Sequence, residues 1–194
     1  MQPKQESYVP KFDFTGLNYY VGIDPQQSLL AINVNTDEEE DAFWFQHIFK
    51  KKNSSGFKTA EMWELYIAAE IETVITELDN KIRAHESFSE ASSSIFCGVE
   101  QQRGRVNSLI EGILVSCGQR KGWIMSIPHP LTWKKSVGLK CLPGNKNNKN
   151  ESTSMIGPDL MDYLKKNDLK KPARIHDLCD AKCISAHVFK MQNP

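Results

Sequence analysis

The sequence contains no apolar run near the roughly 20 residues that a membrane-spanning helix requires, so an integral membrane protein of the helical kind is not expected. The opening MQPKQESYVPKFDF lacks the apolar centre of a secretory signal and the Arg-rich pattern of a transit peptide. No targeting segment is therefore expected, and an intracellular protein is. Cysteine is sparse: Cys97, Cys117, Cys141, Cys179 and Cys183 are odd in number, scattered and without CxxC spacing. That usage suits free thiols in a reducing compartment better than a disulfide framework. His176, Cys179, Cys183 and His187 fall near one helical stripe, but one straight helix cannot wrap four ligands tetrahedrally around a zinc ion. Neither a Ser-His-Asp arrangement nor a glycine loop able to cradle phosphates is present, and there is no internal repeat.

What is present is an ordinary globular composition, 40% hydrophobic and 25% charged, in 194 residues. That length suits one domain with a proper core and is short for two. The formal net charge of zero hides an asymmetry. From Gly98 onward 16 Lys and Arg stand against 8 Asp and Glu, and before it the balance is 8 against 16. A split of this size points to a basic surface facing a polyanion in the second half, the alternative being charges that simply solvate helices.

Along the chain, residues 1–16 are polar and proline-bearing and read as an arm, with the domain proper expected over 17–190. Leu17–Ile23 and Leu29–Val34 read as two strands of a hairpin turning at Pro25–Ser28, and Ala42–Phe49 as a third strand after the acidic run Asp37–Asp41. Trp63, Ile67, Ile71, Val74, Leu78 and Ile82 recur at steps of three and four, which predicts a long amphipathic helix over about 59–86. Ser92–Glu100 reads as a buried strand, Arg105–Cys117 as a helix, Gly122–Ile127 as a strand and Leu131–Val137 as a short helix after Pro130. The polar stretch Gly138–Ser154 reads as a loop, and two helices near Pro158–Lys166 and Pro172–Lys190 finish the chain. Strands alternating with helices predict an α/β fold, a mixed five-stranded sheet flanked by helices on both faces.

Three places put carboxylates where a metal site can use them. Asp24 and Glu100 each end an apolar strand, and Asp177 and Asp180 lie at i and i+3 on one face of the last helix. Clustered carboxylates repel and call for a cation, and oxygen-only ligands select Mg²⁺, with Mn²⁺ able to substitute. Two such ions, roughly 3.5–4 Å apart, suit in-line phosphoryl displacement. Taken singly these acids are ordinary turn or surface residues; their order and context carry the reading.

The wording around them resembles the RuvC-like Holliday junction resolvases of the RNase H-like superfamily. VGIDP resembles that family's first-strand motif, and VEQQRGRVNSLIEGIL its glutamate-ended strand leading into a helix, closest to the mitochondrial and large-DNA-virus branches. IPHPLTWKKSVGL and HDLCDAKCISA resemble its later proline-to-lysine segment and its terminal helix. The first motif has Pro25-Gln26-Gln27 where bacterial members carry a glycine-rich turn. The resemblance implies an RNase H-like fold and a homodimer that nicks four-way DNA junctions, with Asp24, Glu100, Asp177 and Asp180 as catalytic metal ligands for two ions. It places Arg103, Arg105, Lys134, Lys135 and Lys140 on DNA phosphates, at a site of DNA replication or recombination. A flap or RNA–DNA-hybrid nuclease and a non-catalytic nucleic-acid-binding protein remain the other readings. Trp133 reads either as a core anchor or as a base-facing aromatic, and His176 either as a capping or supporting residue or as an assistant in the chemistry. For the dimer surface, Val106, Ile110, Ile113 and Leu114 offer more apolar side chains than one sheet-facing stripe needs, and the long helix is the other candidate.

Overall fold

The structure, a computed structural model, describes residues 17–37, 43–50, 57–140, 148–169, 172 and 174–194. The expected arm at 1–16 lies outside the described residues, as does most of the acidic turn. Strands β1 (Tyr19–Gln26) and β2 (Leu29–Thr36) form an antiparallel hairpin around Gln27-Ser28, and β3 (Phe43–Ile48) pairs antiparallel with β2. On the other side of β1 lies β4 (Ile95–Val99), parallel to it, followed by β5 (Ile124–Ser126), parallel to β4. The order β3-β2-β1-β4-β5 is a mixed five-stranded sheet.

β1 runs three residues past its expected end, so Asp24 lies within a strand rather than after one. Pro25 had suggested a stop because it cannot donate to a ladder. It is tolerated because β4 leaves β1 at the Ile23–Val99 pair, and from there β1 has a partner on one side only.

Helix α1 (Ala60–Arg83) begins at Thr59, whose hydroxyl accepts the Met62 N–H at 3.2 Å, and carries Lys81 and Arg83 in its last turn. Both features satisfy or complement helix ends. Its predicted stripe is buried, and with α2 (Arg105–Arg120) it covers Tyr19, Val21, Ile23, Leu30, Ile32 and Val34 on one face of the sheet. Val106, Ile110, Ile113 and Leu114 all pack against this same core, Ile110 and Leu114 buried within it and Val106 and Ile113 half-buried at its edge.

The opposite face carries α3 (Pro130–Ser136), α4 (Asn148–Lys166) and α5 (Ile175–Gln192). The expected loop over 138–154 is corrected here: its last seven residues are the start of α4. Asn, Ser, Thr and an internal Pro158 are poor helix formers, but packing outweighs propensity. Ser152 and Leu160 are fully buried, and Leu160 and Leu164 meet Leu178, Cys179 and Ala181 of α5. Residues 141–147 lie outside the described residues.

Candidate active site

Side chains alternate across a strand, so Gly22 and Asp24 share the face of β1 that meets α5, and Gly98 and Glu100 share the same face of β4. Gly22 and Gly98 are direct register partners. A Cβ on Gly22 would fall inside the contact distance of the Ala181 carbonyl oxygen and the Ser185 nitrogen, both α5 backbone. A Cβ on Gly98 would meet Val188 Cγ2 at 2.6 Å and Ile184 Cγ2 at 2.9 Å. The paired glycines form a trench in which α5 lies against the sheet. Two residues further along each strand, Asp24 and Glu100 reach the first turns of α5, where Asp177 and Asp180 are.

The four carboxylates affect one another strongly. Asp24 is held well above the usual carboxylate range, first by burial and then by the charges of Glu100, Asp180 and Asp177. Burial and then the Asp180 charge raise Glu100, against the charge of Lys134 and hydrogen bonds from Asp24 and Trp133. Asp180 is raised by burial first and by Asp177, with Ser152, Lys134 and His176 acting in the other direction.

Asp24, Glu100 and Asp177 each have their own support. The Gln26 amide donates to Asp24 Oδ1 at 3.0 Å, and the Gln102 amide donates to Glu100 Oε2 at 3.0 Å. Trp133 Nε1–H donates to Glu100 Oε1 at 3.2 Å. Asp177 is gripped by Arg174, with Nε 2.6 Å from Oδ2 and Nη2 3.2 Å from Oδ1, and His176 Nε2 lies 2.9 Å from Oδ1. Asp180 Oδ1 is buried and has no hydrogen-bond partner among the described residues. Among the described residues no three His, Cys, Asp or Glu side chains are arranged to enclose a metal ion as they stand.

Solved structures share this architecture. Thermus thermophilus RuvC aligns with a TM-score of 0.51 and 15% identity, covering 91% of this chain and 96% of that one. A second structure, T. thermophilus RuvC in complex with a Holliday junction substrate, aligns with a TM-score of 0.50 and 16% identity over the same shares. The chain has a RuvC-like fold. No protein-family model and no curated protein matches the sequence. The α/β sheet and its helices on both faces are thus those of the RuvC-like fold, and at this identity the likeness is one of fold.

Within the RuvC-like fold the expected basic residues separate. Lys134 is half-buried, 4.9 Å above the Trp133 ring, and its charge acts on Glu100 and Asp180. Arg103, Lys135 and Lys140 are exposed. Arg105 is exposed too, with Nη2 3.4 Å from Glu64 of α1. Trp133 is fully buried against Cys183 and Ile184, so the base-facing reading of its ring is overturned. Sequence reasoning missed Gln26, Gln102, Arg174 and the two glycines. A signal existed for four of them, because Gly22-Ile23-Asp24-Pro25-Gln26 and Gly98-Val99-Glu100-Gln101-Gln102 are the same pattern, glycine, acid and glutamine at alternate positions. Alternation puts Gly22, Asp24 and Gln26 on one face of β1, and Glu100 and Gln102 continue the chain past the end of β4.

Proposed function

We propose that this protein is a divalent-metal-dependent endonuclease that resolves four-way DNA junctions by paired phosphodiester hydrolysis. The observation that carries the reading is the convergence of four carboxylates, from β1, the end of β4 and α5, in one buried and mutually repelling cluster. Such a cluster is costly unless a cation compensates it. The residues fit a hard divalent ion: the donors are all oxygens, and Asp180 presents a buried oxygen with no hydrogen-bond partner among the described residues. Asp24, Glu100 and Asp180 would hold Mg²⁺ or Mn²⁺, with Asp177 beside them and two ions per site. The metal would supply Lewis acidity at a phosphodiester oxygen and a more acidic water.

The chain's own residues prepare that chemistry. Gln26, Gln102 and Trp133 fix the carboxylates by hydrogen bonds, so that little reorganisation is left for the reaction itself. Lys134 sets a positive charge beside Glu100 and Asp180, where it also favours the phosphate's growing negative charge. Arg103, Lys135 and Lys140 are exposed and suited to sequence-independent backbone contacts, with Arg105 joining them on release from Glu64. T. thermophilus RuvC is known in complex with a Holliday junction substrate, which supports four-way junction DNA as the substrate here. A two-fold junction calls for two equivalent sites and hence a homodimer. Its interface would use the groove between α1 and α2, lined by Ala68, Leu109, Gly112 and Ile113. Among the described residues no helix is long and apolar enough to cross a membrane, and the setting proposed is an intracellular site of DNA recombination.

The test is cleavage of a four-way junction, a duplex, a flap and an RNA–DNA hybrid, each with and without Mg²⁺. Junction cleavage that needs Mg²⁺ and is abolished by Asp24→Asn, Glu100→Gln or Asp180→Asn is expected. Preference for the flap or hybrid would reassign the substrate, and wild-type-like cleavage by two of these variants would remove the site.

A further inference from the structure

Arg174 is in an unfavourable place for the helix it precedes. It is the residue immediately before α5, where the unpaired backbone N–H groups carry partial positive charge and favour an anion. It makes no capping bond with its side chain. The helix end therefore does not account for an arginine there, whereas the carboxylate cluster does. Its guanidinium lies against both oxygens of Asp177: Nη2 donates to Oδ1 at 3.2 Å, Nε is ion-paired 2.6 Å from Oδ2, and Nη1 lies 3.5 Å from Ser28 Oγ in the β1–β2 turn. The pair is asymmetric in exposure: the Asp177 side chain is 3% accessible and that of Arg174 32%. The carboxylate is fixed in the protein while the guanidinium has an open route to solvent.

We propose that Arg174 is a built-in counter-cation that holds Asp177 until a divalent ion displaces it. This rests on the metal-dependent reading above. A buried carboxylate needs a partner of opposite charge, and Arg174 supplies one whenever the metal is away. A divalent ion and a guanidinium set against the same two oxygens repel each other and draw on neighbouring acceptor sites, so binding the ion weakens the guanidinium's hold on Asp177. The ion then takes over from Arg174 as the counter-charge of that carboxylate. In this arrangement Asp177 is the adjustable ligand of the four, and Arg174 sets how much free metal is needed to complete the site.

The test titrates the full-length protein with Mn²⁺ by calorimetry, without DNA, in wild type, Arg174→Gln and Arg174→Lys. Removing the competing charge should tighten Mn²⁺ binding roughly three- to tenfold in the Gln variant, while the Lys variant, which keeps the charge, stays within about twofold of wild type. Melting in a chelator should fall for the Gln variant and recover with Mn²⁺. Equal Mn²⁺ affinity in wild type and Gln variant, with or without a lower melting temperature, would make the pair merely structural and overturn the proposal alone. A Lys variant that shifts as far as the Gln variant would also overturn it, since charge would not be the cause. If neither wild type nor the Gln variant binds Mn²⁺, the metal-dependent reading fails and this one with it.

Discussion

Replacing Gly22 by alanine adds one methyl group at the tightest approach between α5 and the sheet. The new Cβ would overlap the Ala181 carbonyl oxygen and the Ser185 nitrogen, and neither is a side-chain end that can rotate away. Either α5 or β1 must retreat, by on the order of 1 Å, because packed interiors have little free volume. β1 is held between β2 and β4, so the helix is the softer partner. Overpacking of this kind costs typically about 1–3 kcal/mol, and contact with backbone on both atoms puts Gly22→Ala at the upper end. The same retreat carries Asp177 and Asp180 away from Asp24 and Glu100. A misplacement of that size in an active site costs on the order of 100-fold in rate. Urea unfolding should show the loss of stability, and cleavage assayed well below the midpoint should show the loss of rate in molecules that remain folded. Stability within about 0.5 kcal/mol of wild type together with undiminished cleavage would refute the trench as the element that sets the carboxylate spacing.

Trp133→Phe keeps much of the ring's packing but removes the N–H that holds Glu100; Mn²⁺ affinity should fall several-fold while far-ultraviolet circular dichroism stays as wild type, and unchanged affinity would free Trp133 of a positioning role. His187 is buried, accepts or donates at 2.7 Å to the Ser136 hydroxyl, and is held below its ordinary 6.5 by burial and then by Lys190. Between the two values the unfolded chain binds more protons than the folded one, so this residue's contribution is complete above 6.5 and is lost as pH falls through the lower, folded value. His187→Gln should flatten the pH dependence of urea stability across that window, by less than one proton; an unaltered slope would place the titration elsewhere.

The strands and the long helix were legible because their burial is periodic, and the period survives in the sequence. The end of β1 was not, since Pro25 is locally a stop and only the departure of β4 makes it acceptable. The first two turns of α4 were not legible either, because they are set by side chains that meet α5, Ser152 at Asp180 and Thr153 at Cys179, rather than by helix propensity. At the site, the acids were legible from the wording around them, but their supports were not. Charge read along a chain says nothing about neighbours in space: Arg105 is drawn to Glu64, 41 positions earlier, and Lys134 to the carboxylates rather than to solvent. The glutamines were readable only by comparing the two strand ends with each other, a repeat of five residues that is too short to register as a repeat of structure.

The seven residues of α3 show how a small element sorts several tasks. Successive side chains on a helix point about 100° apart. Trp133, fully buried, fixes the rotation of the helix against Cys183 and Ile184 of α5 and sends its N–H to Glu100. With that rotation fixed, Lys134 is turned along the protein surface toward Glu100 and Asp180, and Lys135 is turned outward. Two adjacent lysines of the same chemistry are thereby given different surroundings, one the carboxylates and the other solvent. Trp133, which sets their directions, carries no charge at all. Packing, through one tryptophan, decides where the electrostatics act.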